Sequence, residues 1–176
     1  RLIASALLGA AAACGTEPTA VPPPPPPGSG FVSLGNVERG VTHVSLLAAH
    51  TDAAGTHWIG GDVGVLLSGA GGTWQVDRLP GTGLVTGVWS TTEDGVLVVA
   101  GSDLFRRGNG TWEAVPLPGP PAILLDIWGL DQGGLWITGT GGTILRREGG
   151  QWSPGVVPVS FEVWGIGGTG PDDLAA

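Results

Sequence analysis

Trp58-Ile59-Gly60-Gly61-Asp62-Val63-Gly64-Val65-Leu66-Leu67 and Trp136-Ile137-Thr138-Gly139-Thr140-Gly141-Gly142-Thr143-Ile144-Leu145 are two copies of one pattern, Trp-Ile-x-Gly-x-x-Gly-x-(Leu/Ile)-Leu. Between them, Val98-Val99-Ala100-Gly101 to Leu104-Phe105 is a shorter copy without the Trp. A second marker, Gly71-Gly72-Thr73-Trp74, recurs as Asn109-Gly110-Thr111-Trp112 and Gly149-Gly150-Gln151-Trp152, so its Trp returns after 38 and then 40 residues. A third is Val88-Trp89, Ile127-Trp128 and Val163-Trp164. Three markers in one order at nearly one spacing define an internal repeat, and a period of this length signals a solenoid, propeller or array.

Each unit divides into four short apolar runs bounded by Gly, Pro, Asp and Thr. In the second unit these are Leu84–Ser90, Val96–Ala100, Leu104–Arg107 and Trp112–Leu117, here called strands A to D. The runs are β-branched or aromatic and lack a 3.6-residue period, which predicts strands. Four strands in about 40 residues is the size of one propeller blade. A blade cannot bury both faces of its own sheet and must stack on neighbours. The expected fold is therefore all-β, a β-propeller of four-stranded blades. Blades are expected at about 44–79, 84–117 and 122–158, with the A strand of a fourth at Phe161–Ile166 and its remainder running to 176. Because closed propellers need four to eight blades, the chain is expected to be a fragment of a larger ring.

The pattern Trp-x-x-Gly-x-x-Gly-x-(Ile/Leu)-Leu followed by Gly-Gly-x-Trp resembles the repeat of propellers related to photosystem II assembly factors. It is also similar to a degenerate Asp-box repeat of the sialidase and sortilin type. The resemblance covers about residues 40–176, but Ala70 and Gly108 stand in the turn where the Asp-box carries its Asp. The first likeness implies a non-catalytic scaffold for assembly or protein binding. The second implies a glycan-binding or glycan-hydrolysing module whose catalytic residues lie on other blades.

Composition narrows the function. The net charge is −8, from fifteen acids against seven basic residues, all arginine. Such a chain lacks the basic stripe that counterion release from nucleic acid requires. Glycine contributes 34 of 176 residues, in keeping with many tight turns. No tyrosine is present to serve as a sialidase nucleophile, and no G-x-S-x-G elbow, H-E-x-x-H helix or P-loop occurs. No cofactor is expected.

The first 30 residues read as an address. Arg1 precedes an apolar run, Leu2–Ala13, that is too short to span a bilayer but has the length of a secretory h-region. The run ends in Ala11-Ala12-Ala13-Cys14, which resembles a bacterial lipobox, with Ala11 where Leu is more usual. The resemblance implies cleavage before Cys14 and a diacylglyceryl anchor on its thiol. The alternative is a buried cysteine in an apolar helix. Gly15–Gly30 contains six consecutive prolines, Pro22 to Pro27, and is expected to form a polyproline II stalk. The expected location is thus the bacterial cell envelope, outside the cytoplasm, at the outer membrane where the cell has one.

Four arginines are the candidate partner-binding residues. Arg106-Arg107 and Arg146-Arg147 occupy equivalent places 40 residues apart, where strand C enters the C–D turn. Antiparallel order places A–B and C–D turns on one rim, where the A–B turns hold Asp52, Glu93, Asp94, Asp131, Asp172 and Asp173. An inner acidic ring should lie about 9–10 Å inside an outer arginine ring. The arginines either pair within the rim or grip carboxylates of a protein partner. Trp74, Trp112 and Trp152, like Trp89, Trp128 and Trp164, recur in register, which points to packing between blades rather than to a ligand. Asp126 and Glu162, each before a Trp, could border the channel as cation ligands; His43, His50 and His57 could bind metal only if strand geometry brought them together.

Overall fold

The computed structural model describes residues 45–81, 83–130, 134–155, 161–170 and 173–175. Cys14 with its leader and stalk, His43, Asp131 and Asp172 lie outside the described residues.

Three antiparallel sheets follow one another, each with its strands in sequence order. The first contains β1 (Leu46–Thr51), β2 (His57–Gly61), β3 (Val65–Ala70) and β4 (Thr73–Arg78). The second contains β5 (Val85–Thr91), β6 (Gly95–Ala100), β7 (Asp103–Gly108) and β8 (Thr111–Val115). The third contains β9 (Leu124–Gly129), β10 (Leu135–Gly139), β11 (Ile144–Glu148) and β12 (Gln151–Pro154). A hairpin of β13 (Gly167–Gly170) and β14 (Asp173–Ala175) begins a fourth.

The Gly-Gly and Asn-Gly pairs that mark the repeat are the C–D turns. Gly71, Gly72, Asn109, Gly110, Gly149 and Gly150 all have positive φ, from 49° to 87°. Two successive residues of that kind make the I′ turn that matches the twist of a tight hairpin.

Period-2 alternation sends neighbouring residues of a central strand to opposite blades. On β6, Val96, Val98 and Ala100 pack with Trp58, Leu66 and Leu79 of the first blade. Leu97 and Val99 face the other way and pack with Leu124, Ile127, Leu135 and Ile137 of the third. Each fully buried aliphatic side chain stabilises the stack by roughly 1.5–3 kcal/mol. Every A–B pair carries a register shift at the same place, between Leu46 and Ala48, Val85 and Gly87, and opposite Thr138–Gly139. This bulge lets Val85 and Val88 share one buried face. The extra residue of the second blade, Thr86, donates its hydroxyl to Leu124 O at 2.9 Å.

One expected strand is corrected. Phe161–Ile166 forms no ladder, and the pairing falls instead on β13 and β14. The register sets Gly167 opposite Ala175 and Gly168 opposite Leu174. The segment is held differently: Gly142 N–H donates to Phe161 O, Val163 N–H to Gly139 O, and Ile166 N–H to the Asp126 carboxylate.

Candidate functional site

The rim built from A–B and C–D turns gathers Asp52, Glu93 and Asp94 and all four candidate arginines, and the structure divides each arginine pair. Successive strand residues point to opposite faces, so Arg107 and Arg147 turn toward the preceding blade.

Arg147 reaches the A–B turn of the second blade. Its guanidinium makes a two-pronged contact with Asp94, Nη1 to Oδ2 at 2.7 Å and Nη2 to Oδ1 at 2.9 Å, with Glu93 at 3.7 Å. Both partners are enclosed, with side chains 14% and 7% exposed. Asp94 is itself fixed in its turn, its N–H donating to Thr91 Oγ1 at 2.9 Å. Arg107 reaches the first blade, lying 5.3 Å from the Trp58 ring centre and 5.8 Å from that of Trp112, with Asp77 at 3.4 Å. Of the four arginines Arg147 meets the A–B turn acids, across a blade boundary, whereas the acid beside Arg107 is Asp77 of the outer strand β4.

Arg106 and Arg146 remain at the surface. Arg106 lies 3.8 Å from Glu113, both about half exposed. Arg146 pairs with Glu148 and covers the Trp136 ring at 5.6 Å. Ion pairs this exposed are worth about 0–1 kcal/mol, so Arg106 can exchange partners at little cost, whereas Arg146 is also held by its contact with Trp136 and has a buried Nε.

Around the inner strands, one aromatic group per blade stands at an equivalent place. The His50 ring lies 4.7 Å from Trp89, and Trp89 lies 6.2 Å from Trp128, each contact crossing a blade boundary. Trp58 and Trp112 meet edge to face at 6.5 Å across the first boundary. Trp74 packs on His57, Trp152 against the core of the second and third blades, while Trp164 is 72% exposed. His50 occupies the tryptophan place of its blade and hydrogen-bonds Ser90 Oγ at 2.7 Å. Desolvation by burial lowers its pKa, with Asp52 pulling the other way. A histidine whose folded pKa is depressed favours folding when neutral. The stabilisation it gives is present above the ordinary imidazole range and is lost as pH falls through it. His50→Phe should flatten the decline of melting temperature with acidification, measured by thermal unfolding between about pH 8 and 5; an unchanged decline would exclude His50 as its source.

Asp52 closes the first A–B turn. Its carboxylate accepts from Ala54 N at 3.0 Å, Thr56 N at 2.8 Å and the Trp58 indole at 3.0 Å. Burial pushes its pKa up, but these donors outweigh it and hold the carboxyl below its ordinary range. Asp126 shows the opposite balance: burial raises its pKa, although Ile166 and Ile127 N–H donate to it. It borders a cavity of about 270 Å³ between the inner strands, lined by Ala48, Gly87 and Trp128 among others. Glu162, the other candidate cation ligand, lies on the exposed segment after the third blade. Among the described residues no three His, Cys, Asp or Glu come together as a metal site would require.

The residues that sequence reasoning missed are the receivers of the arginine clamps. Asp94 was visible as a turn acid, but Asp77 and Trp58 as partners of Arg107 follow only from the stacking of one blade on the next.

No protein-family model matches the sequence, and no curated protein matches it. Solved structures do. YCF48 bound to D1 peptide superposes with a TM-score of 0.57 at 18% identity, over 74% of this chain and 46% of that one. YCF48 from Cyanidioschyzon merolae superposes with a TM-score of 0.57 at 15% identity, over 74% of this chain and 49% of that one. The chain thus spans about half the length of the solved structures it matches. The likeness carries the fold: the chain is built of β-propeller blades.

Proposed function

We propose that this is a non-catalytic, lipid-anchored propeller that serves as a protein-binding or assembly scaffold at the bacterial cell envelope, tethered through Cys14. The observation that carries the reading is the division of the arginine pairs. Arg107 and Arg147 hold the blades together, while Arg106 and Arg146 stand on the same rim at equivalent places, each paired with an exposed acid, Arg146 lying also over Trp136. Guanidinium groups so placed suit bidentate capture of carboxylates on a protein segment. That a similarly folded protein has been solved with a peptide bound supports a peptide or protein ligand here.

The test is the double variant Arg106→Ala with Arg146→Ala, compared with the native chain by cross-linking in envelope fractions. Each lost charge-assisted contact should weaken a partner by about 1.5–3 kcal/mol, enough to remove a specific cross-link while the fold is kept. If every cross-linked partner persists at native yield, the arginine reading fails.

A further inference from the structure

The opposite rim, made of B–C turns and the linkers between blades, differs from the arginine rim in its exposed apolar side chains. Val63, Leu84, Ile123 and Phe161 project there, between 51% and 66% exposed. Leu84 and Ile123 are equivalent residues, each immediately before the inner strand of its blade.

Several backbone groups of this rim are also paired. Gly101 N–H donates to Leu84 O, Thr140 N–H to Ile123 O, Gly142 N–H to Phe161 O, and Gly64 N–H to Gly83 O. The connecting segments include Pro80, Pro116, Pro118, Pro120 and Pro121, which have no N–H to satisfy. Apolar side chains over an internally bonded backbone are what a surface needs to approach hydrocarbon without stranding polar groups.

The chain also enters here. Ser45, just before β1, accepts from Asp62 N–H at 3.1 Å and donates its own N–H to the Asp62 carboxylate at 3.3 Å. Residue 45, where the described chain begins, therefore lies at the apolar rim.

We infer that this rim is a lipid-facing surface, which seats the propeller on the bilayer that holds its anchor and turns the arginine rim outward. The inference rests on the lipid-anchor reading. A tether of this length keeps the rim at high effective concentration near the surface, and the apolar rim decides that the propeller lies down rather than stands off on its proline stalk. With Asp62 and Asp103 on this rim and no arginine cluster to draw it to anionic headgroups, the surface suits zwitterionic lipid.

The experiment uses the full chain, purified with its anchor and reconstituted in phosphatidylcholine vesicles. Single cysteines replace Leu84, Ile123 or, on the arginine rim, Glu113, and carry a fluorophore quenched by doxyl-labelled lipid. An acylated Cys14 takes no label. Labels at Leu84→Cys and Ile123→Cys should be quenched at least ~3-fold more than at Glu113→Cys, as for side chains at the headgroup–acyl boundary. If the protein floats with the vesicles but the three labels are quenched alike, the lipid-facing rim is refuted and the anchor stands. If the protein does not float, or Cys14 takes the label, the anchor fails and the inference falls with it. Labels shielded from aqueous iodide yet untouched by lipid quencher would overturn it in favour of a protein cover.

Discussion

Arg147→Ala should destabilise the stacked blades by about 3 kcal/mol, while Arg106→Ala, its counterpart at the surface, costs less than ~1 kcal/mol. The two residues are the same type on equivalent strands. What separates them is the environment each side chain enters. Arg147 delivers two parallel N–H bonds to Asp94, and both groups are largely shut off from water. Truncating Arg147 leaves the Asp94 carboxylate enclosed with Thr91 as its remaining side-chain partner, and an uncompensated charge of that kind is what makes removal of one member so costly. Arg106 and Glu113 are exposed and return to water without penalty. Urea unfolding of the two variants measures the difference. Asp94→Ala should cost about as much as Arg147→Ala, and the pair together less than the sum, since the second change removes the orphan that the first created. Equal effects from Arg106→Ala and Arg147→Ala would mean that the clamp contributes nothing beyond a surface ion pair.

The same contrast shows how far the sequence could be read. Strand order within a blade was legible because it needs only local pattern: glycine pairs at the C–D turns, β-branched runs, and a Trp at fixed intervals. The arginine pairs were legible as a repeat for the same reason. Their division was not, because it depends on which face of strand C looks at the preceding blade, and that follows from how sheets stack. The bulge in each A–B pair was hidden as well. Glycines do stand at the shift, Gly87 in the second blade and Gly139 opposite it in the third, but in a chain so rich in glycine they do not single it out; Gly87 also lets Ile127 approach, a Cβ there meeting Ile127 N at 2.8 Å. Phe161–Ile166 carries an intact Val-Trp marker but forms no ladder among the described residues, since a sequence marker records only one side of a ladder.

Gly139 is the position where the repeat signature and the packing can be tested together. It is the glycine of the Trp-Ile-x-Gly marker, and its backbone is extended, with φ at −168°, so conformation alone does not demand glycine there. Space does. A Cβ would lie 2.5 Å from Ile123 O and 3.4 Å from Thr143 Cβ, and Ile123 O is held by Thr140 N–H at 2.9 Å. The neighbour is backbone and cannot rotate away. Gly139→Ala must therefore push β10 from the linker, loosening the contacts that tie Val163 and Phe161 to the third blade. The expected loss is about 2–3 kcal/mol. Gly141, two residues on, is the internal control. Its φ is +66° and a Cβ there meets nothing within 4 Å, so its requirement is conformational, and Gly141→Ala should cost only about 1–2 kcal/mol. Asparagine, which tolerates the left-handed region, should lower that cost at 141 but not at 139. Thermal unfolding of the four variants, Ala and Asn at each site, reads this out. If Asn lowers the cost at 139 as it does at 141, then the marker glycine is kept for its backbone angles and the close approach of linker to blade is not what selects it.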